Sequence, residues 1–341
     1  MNKANLSNKA RLFFSKLAKI KLSTKLFFAV FLVVLIIAII SSPEKYISVA
    51  LEGILIWGTQ ILPALFPFMI FTKLLVETGY VKEASRLFSP MTKKFYHAPG
   101  ISSYVFLMSI LSGYPLGAKL TADLYSGNYI SRAEAHRIVS FTSNSGPMFI
   151  VGTVGVGMLL SKEAGYIILI SHILAAIING LLYRNYSPRE TATGKKFQTK
   201  VETEDFLTET MMSSISSCLL IGGYITIFFI IGEVLLSIGI FSPLTGLLEN
   251  FGIESALSNG VIIGLFEMTN GCLLISASTA SLAIKTALYS LLISFGGLAI
   301  SFQAFAFLKN FDVSKKFYFI QKTSHAILTF VICLGLGFLL L

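Results

Sequence analysis

Charge is scarce in this chain. Asp, Glu, Lys and Arg make up 13% of its 341 residues, against 54% hydrophobic, a balance that excludes an ordinary soluble domain. Cysteine is nearly absent too. Cys218, Cys272 and Cys333 lie in apolar segments with no CxxC or Cys/His spacing. This argues against a disulfide framework or a zinc site and leaves small buried hydrophobes. No metal is expected. The sequence also lacks a P-loop, a dinucleotide glycine motif and a Ser–His–acid pattern, so it is not expected to be an enzyme. No A-x-A cleavage site follows the first apolar run, which ends at Ser41, Ser42 and Pro43. The basic lead over residues 3–25 and the run at 26–40 therefore predict an uncleaved signal anchor with a cytoplasmic N-terminus.

What remains is largely apolar. Several stretches reach the roughly 20 residues that cross a bilayer, which predicts an all-α polytopic membrane protein. The net charge of +10 sits mainly beside apolar segments. It is assigned to topology and to anionic lipid, and no nucleic-acid partner is expected. The lead "RLFFSKLAKIKLSTK" is basic and amphipathic, and suits the cytoplasmic leaflet.

One layout is written twice. Residues 1–45 hold the basic segment and the first span. A first repeat follows over 46–184, then a polar cytoplasmic linker at 185–210, then a second repeat over 211–341. Each repeat starts with a long span (51–76; 211–240). Next comes a connecting stretch (79–100; 241–254), then a Gly-rich hairpin (101–127; 255–284). A broken helix (131–160; 287–308) and a last span (166–183; 317–341) complete it. The apolar half of each hairpin is too short to span, so both are expected to be re-entrant. Ser131 and Glu134 form a capping box that starts the first broken helix, and "SKEAG" is a short outside turn. Residues 79–100 carry Lys82, Arg86, Lys93 and Lys94, whereas 241–254 has no Lys or Arg. The charge bias thus reverses between the copies, which predicts inverted topology. Inverted repeats with interrupted helices point to a transporter and to its binding site.

The interruptions carry the candidate site. At "SGYPLGAKL", Gly113, Tyr114, Pro115 and Gly117 stop regular helix and leave backbone groups for a ligand; a tight turn at a kink is the alternative. Lys119 follows. It suits a carboxylate substrate, or else it pairs with Asp123. In "FTSNSGPMF", Ser143, Asn144 and Ser145 supply hydroxyl and amide groups beside Pro147, as a coordination site or as satisfiers of a proline kink. In "GLFEMTNG", Glu267 among apolar neighbours could hydrogen-bond substrate, help bind a cation or carry a coupling proton, or could pair with Lys119 or Lys285. Thr269 and Asn270 add neutral polar atoms. Ser294 lies in "ISFGG", and Gln303 follows in the same helix. His172 and His325 recur in the two last spans and read as hydrogen-bonded core. "GTVGVG" (152–157) reads as close helix packing.

"LPALFPF", "SGYPLGAKL", "LYSGNYISRAEA", "SNSGPMFIVGTVGVGM" and "GLFEMTNG" resemble the YlbJ-type sporulation integral membrane protein family (SpoVV), over nearly the whole chain after the first span. That family has two nucleoside-recognition (Gate) repeats and is similar to the spore maturation membrane proteins and, distantly, to concentrative nucleoside transporters. The resemblance implies inverted repeats, a site between hairpin tips, and movement of dipicolinic acid between mother cell and forespore. In the nucleoside transporters, hairpins and broken helices carry amides or carboxylates for base and ribose. Here the first tip has no acid or amide, and the second break offers Ser294 but no Asn.

The sequence is therefore read as a multi-pass transporter of the bacterial plasma membrane. It is expected to carry a small anionic carboxylate, dipicolinate by resemblance, with no cofactor and with sodium or protons as candidate coupling ions. Its expected partners are that anion and the lipid bilayer, and a homo-oligomer is compatible with the sequence. The alternatives are a non-transporting scaffold of a sporulation or envelope complex and a nucleoside-type transporter.

Overall fold

The computed structural model describes residues 24–78, 80–186, 206–308 and 314–341. The basic lead, most of the linker and most of the "KNFDVSKK" loop lie outside the described residues. The described residues before 49 and those from 49 onward form two compact units. The first holds α1 (Thr24–Ser41) and the start of α2 (Pro43–Ile56). The candidate site lies wholly in the second.

All regular structure among the described residues is helical, and one order of elements occurs twice. In the first copy, α2 runs through a wide turn (Trp57–Ile61) into α3 (Leu62–Glu77). Then come α4 (Tyr80–Tyr96), the pair α5 (Ser102–Ser112) and α6 (Leu116–Ser126), the pair α7 (Arg132–Thr142) and α8 (Met148–Met158), and α9 (Lys162–Leu182). The second copy has α10 (Phe206–Ser237), α11 (Ser242–Asn250), the pair α12 (Ser255–Gly264) and α13 (Met268–Ser276), the pair α14 (Leu282–Phe295) and α15 (Gly297–Leu308), and α16 (Lys315–Leu340). Five helical stretches are long and apolar enough to cross a membrane: Pro43–Leu75, Lys162–Leu182, Leu207–Ser237, Leu282–Leu308 and Lys315–Leu340.

Local chemistry explains most boundaries. Ser131 accepts from the Glu134 amide and Glu134 reaches back to the Ser131 amide, the expected capping box. Pro67 sits inside α3 without ending it. The wide turn comes just before Pro63, where the Leu62 amide bonds Trp57 O, five residues back. Widening there gives a proline ring room against the preceding carbonyl. The Gly152–Gly157 stretch packs closely, as expected: a Cβ on Gly155 would stand 2.6 Å from Gly165 Cα on α9.

Several boundaries differ from the sequence expectation. The stretch 241–254 is not all loop, since α11 occupies its middle with Pro243 in the first turn, where a missing amide hydrogen costs nothing. "SKEAG" is a helix start, with Ser161 capping the Ala164 amide. The second hairpin closes at Ser276, and the following helix starts at Leu282 behind its Ser281 cap, five residues before position 287. The long helix of the second copy starts at Phe206.

Equivalent helices of the two copies run antiparallel. Along α2–α3 and α10, Gly53 faces Thr226 and Phe229, Trp57 Nε1 donates to Cys218 O (3.0 Å), and Lys73 Nζ donates to Ser213 Oγ (2.8 Å). Along α9 and α16, the His172 and His325 rings lie 4.7 Å apart. Asn179 Nδ2 donates to Gln321 O (3.1 Å), Ser324 Oγ to Asn179 Oδ1 (2.6 Å), and Tyr183 Oη to Ile320 O (3.4 Å). In both pairs, one chain ascends while the other descends.

Candidate functional site

In each copy the turn of the helix pair seats on the break of the next helix. In the first, Gly113 has φ +72°, a region that disfavours a side chain. It lies so close to the break at 143–147 that a Cβ would stand 2.6 Å from Gly146 N. A Cβ on Gly117 would overlap Thr142 O. In the second copy, the contact is hydrogen-bonded. The Leu298 and Ala299 amides at the start of α15 donate to Leu265 O (2.9 Å) and Phe266 O (3.0 Å) of the α12–α13 turn. Helix-start amides that would otherwise lack acceptors are thereby satisfied.

The two turns and the first break converge on one cavity of about 70 Å³. Ser112, Gly113 and Tyr114 come from the first turn, Ser145 and Gly146 from the break, and Glu267 and Thr269 from the second turn. Phe149, Tyr224 and Ile300 supply apolar wall, and Gln303 an amide. A second chamber of about 300 Å³ shares Ser112, Tyr114, Tyr224 and Gln303 with it and adds Pro115, Lys73 and Lys119. It lies beside Ser213 and Ser217, toward the end of α10 where the linker enters. Its two lysines make this approach positive.

Glu267 does two jobs. It is the N-cap of α13, where Oε2 accepts from the Asn270 amide at 2.7 Å, and it lines the cavity. Neither lysine suggested as its partner pairs with it, and Lys285 Nζ instead donates to Ser276 O (3.0 Å). Nor do Lys119 and Asp123 pair: both are exposed, and the ion pair found among the described residues is Arg86 with Glu83. A spacing of four residues permits such a contact, but solvated charges have little reason to make it.

Of the residues singled out in the sequence, Gly113, Tyr114, Ser145, Glu267 and Thr269 line the inner cavity, and Pro115 and Lys119 line the outer chamber. Five lie elsewhere. Gly117 packs on α7. Ser143 faces Tyr318 Oη (3.3 Å), and Asn144 Nδ2 donates to Ser109 Oγ and Phe141 O. Ser294 Oγ bonds His172 Nδ1 (2.7 Å), and the Asn270 amide is used by Glu267. Side-chain direction at a break does not follow helical periodicity, so which members of "TSNSG" faced the cavity was not readable in advance.

Sequence reasoning missed Lys322. It is fully buried on α16, and its Nζ donates to Tyr114 Oη (2.6 Å) and Ser143 O (3.1 Å). One signal was available, a lysine in an apolar helix three residues before His325. Ser112 was missed as well; its hydroxyl is buried at the cavity and has no protein partner among the described residues. The histidines are hydrogen-bonded core, as expected: His172 Nε2 accepts from the Ser145 amide (3.0 Å), and His325 Nε2 donates to His172 O (3.1 Å).

Comparison with known proteins gives two matches. Residues 59–162 match the Gate family, described as nucleoside recognition. The sporulation integral membrane protein YlbJ of Bacillus subtilis (strain 168) is 30% identical over 321 residues, covering 87% of this chain and 79% of that protein. No solved structure matches.

Proposed function

The chain belongs to the YlbJ family of sporulation integral membrane proteins, and from that premise we propose that it is a transporter, not an enzyme, that carries a small carboxylate anion across the membrane. The convergence of both helix-pair turns and the first break on one cavity supports this reading most. Non-helical backbone at membrane depth is tolerated only where protein or a polar cavity satisfies it. The cavity offers Ser112, Ser145 and the start of α8 to carboxylate oxygens, and Tyr114, Tyr224 and Phe149 to an aromatic ring. Lys73 and Lys119 would draw anions into the outer chamber. By family, the favoured solute is dipicolinate, a small aromatic dianion, moved between mother cell and forespore.

The predicted flux can be measured with purified protein in liposomes. Uptake of labelled dipicolinate should exceed empty liposomes, and imposed sodium or proton gradients would identify the coupling ion. A nucleoside is the second reading, because the matched family is described as nucleoside recognition and Gln303 with Glu267 provide amide and carboxylate. Uridine uptake without dipicolinate uptake would select it. Uptake of neither would reject transport and favour a scaffold.

The two copies are proposed to be inverted in the bilayer, with re-entrant α5–α6 and α12–α13 and a cytoplasmic N-terminus. Antiparallel pairing of α2–α3 with α10 and of α9 with α16 supports this, as does the reversed charge of 79–100 and 241–254. Exposed Glu83 and Glu249 provide the check. In Glu83→Cys and Glu249→Cys, an impermeant thiol reagent should label opposite sides, and labelling from one side rejects inversion.

A further inference from the structure

We infer that Lys322 gives the cavity its preference for anions, acting through Tyr114. The inference rests on the transport reading and specifies the charge its solute carries. Among the described residues, Lys322 is the buried cation of the fold, 2% exposed. It has no carboxylate at ion-pair distance among those residues, and Glu267 is engaged by the Asn270 amide. Its partners are two neutral oxygens, Tyr114 Oη and Ser143 O. An ammonium in a dry interior is costly unless an opposite charge answers it, and a carboxylate solute in the cavity would supply that charge.

Tyr114 is the connection. Tyr114 lines both chambers, and Lys322 Nζ stands 4.3 Å from its ring centroid. Because Nζ donates to Oη, the phenol hydrogen is turned toward other acceptors. Those are Ile293 O at 3.2 Å and Ser294 O at 3.3 Å, both long for a hydroxyl donor. A carboxylate in the cavity is the stronger acceptor and would draw that hydrogen. The neighbouring His172 does not supply the positive charge. His172 Nε2 accepts from an amide and therefore carries no proton, so this ring is neutral with its hydrogen on Nδ1, directed at Ser294 Oγ. His325 Nε2 spends its hydrogen on His172 O. Lys322 is thus a positioning residue whose charge polarises the Tyr114 hydroxyl.

Isothermal titration of the full chain in nanodiscs tests this with pyridine-2,6-dicarboxylate and its neutral diamide. Lys322→Met should weaken the dicarboxylate by about tenfold or more and the diamide by less than about threefold. Lys322→Arg should restore the dicarboxylate preference. A Lys322→Met protein with an unchanged affinity ratio overturns the inference while leaving transport standing. Wild-type protein that binds neither probe overturns the carboxylate reading and this inference with it. If Lys322→Met does not fold, Tyr114→Phe decides: a several-fold fall in the ratio supports the inference, and an unchanged ratio overturns it.

Discussion

Gly117→Ala should be among the most damaging single-methyl changes in the molecule. The new Cβ would overlap Thr142 O and stand 2.8 Å from Thr142 C and 3.1 Å from Ser109 Cβ. Two of these atoms are backbone at the last turn of α7, immediately before the break, so no rotamer change relieves the overlap. Overpacking of this kind costs about 1–3 kcal/mol or more, and here it would also lift the α5–α6 turn off the cavity wall. The expected result is a large fall in melting temperature in detergent, with loss of flux. Gly335→Ala on α16 is the control. Nothing lies within 4 Å of its Cβ position, and alanine is the better helix former by about 1 kcal/mol. Should the two variants melt together, the seating of α6 on α7 is wrong.

The other large effect is expected at Glu267. Glu267→Ala removes the cap of α13 and a polar group of the cavity. Cap loss costs about 1 kcal/mol, and a lost substrate or proton contact should lower flux roughly ten- to a hundredfold. Glu267→Gln separates the two roles. Its amide oxygen can still accept from the Asn270 amide, so stability should recover, but it can neither ionise nor carry a proton. Flux that stays low in Gln at wild-type stability assigns Glu267 to transport. Full flux in both variants would leave it a cap alone.

The layout was legible because it rests on signals that composition carries. Apolar run lengths gave the long helices, Gly113 and Pro115 marked the first turn, Gly296 and Gly297 the second break, and Ser131 with Glu134 a helix start. The wide turn at Trp57–Ile61 and the same widened ladder along all of α8 (Met148–Met158) were not legible, because a ladder one residue wider uses the same residue types. The cavity was half legible. The turns that line it were readable as polar breaks, but Ser143 and Ser294 turn away into contacts with α16 and α9, and Asn144 turns toward α5 and α7. Lys322 was overlooked because lysines near helix ends commonly mark topology; only the fold shows that its ammonium reaches Tyr114, 208 residues earlier.

The way each turn is fastened to its break has a mechanical consequence. Freeing the α12–α13 turn from α15 would strip acceptors from the Leu298 and Ala299 amides, each worth several kcal/mol where water is excluded. A hairpin swinging like a flap is therefore an expensive motion. The inexpensive one carries helix pair and broken helix together as a stiff block. Bending then falls to the connections outside it, at 97–101 and 251–254, where turns replace helix. The parts that look most like gates would then be the parts that deform least.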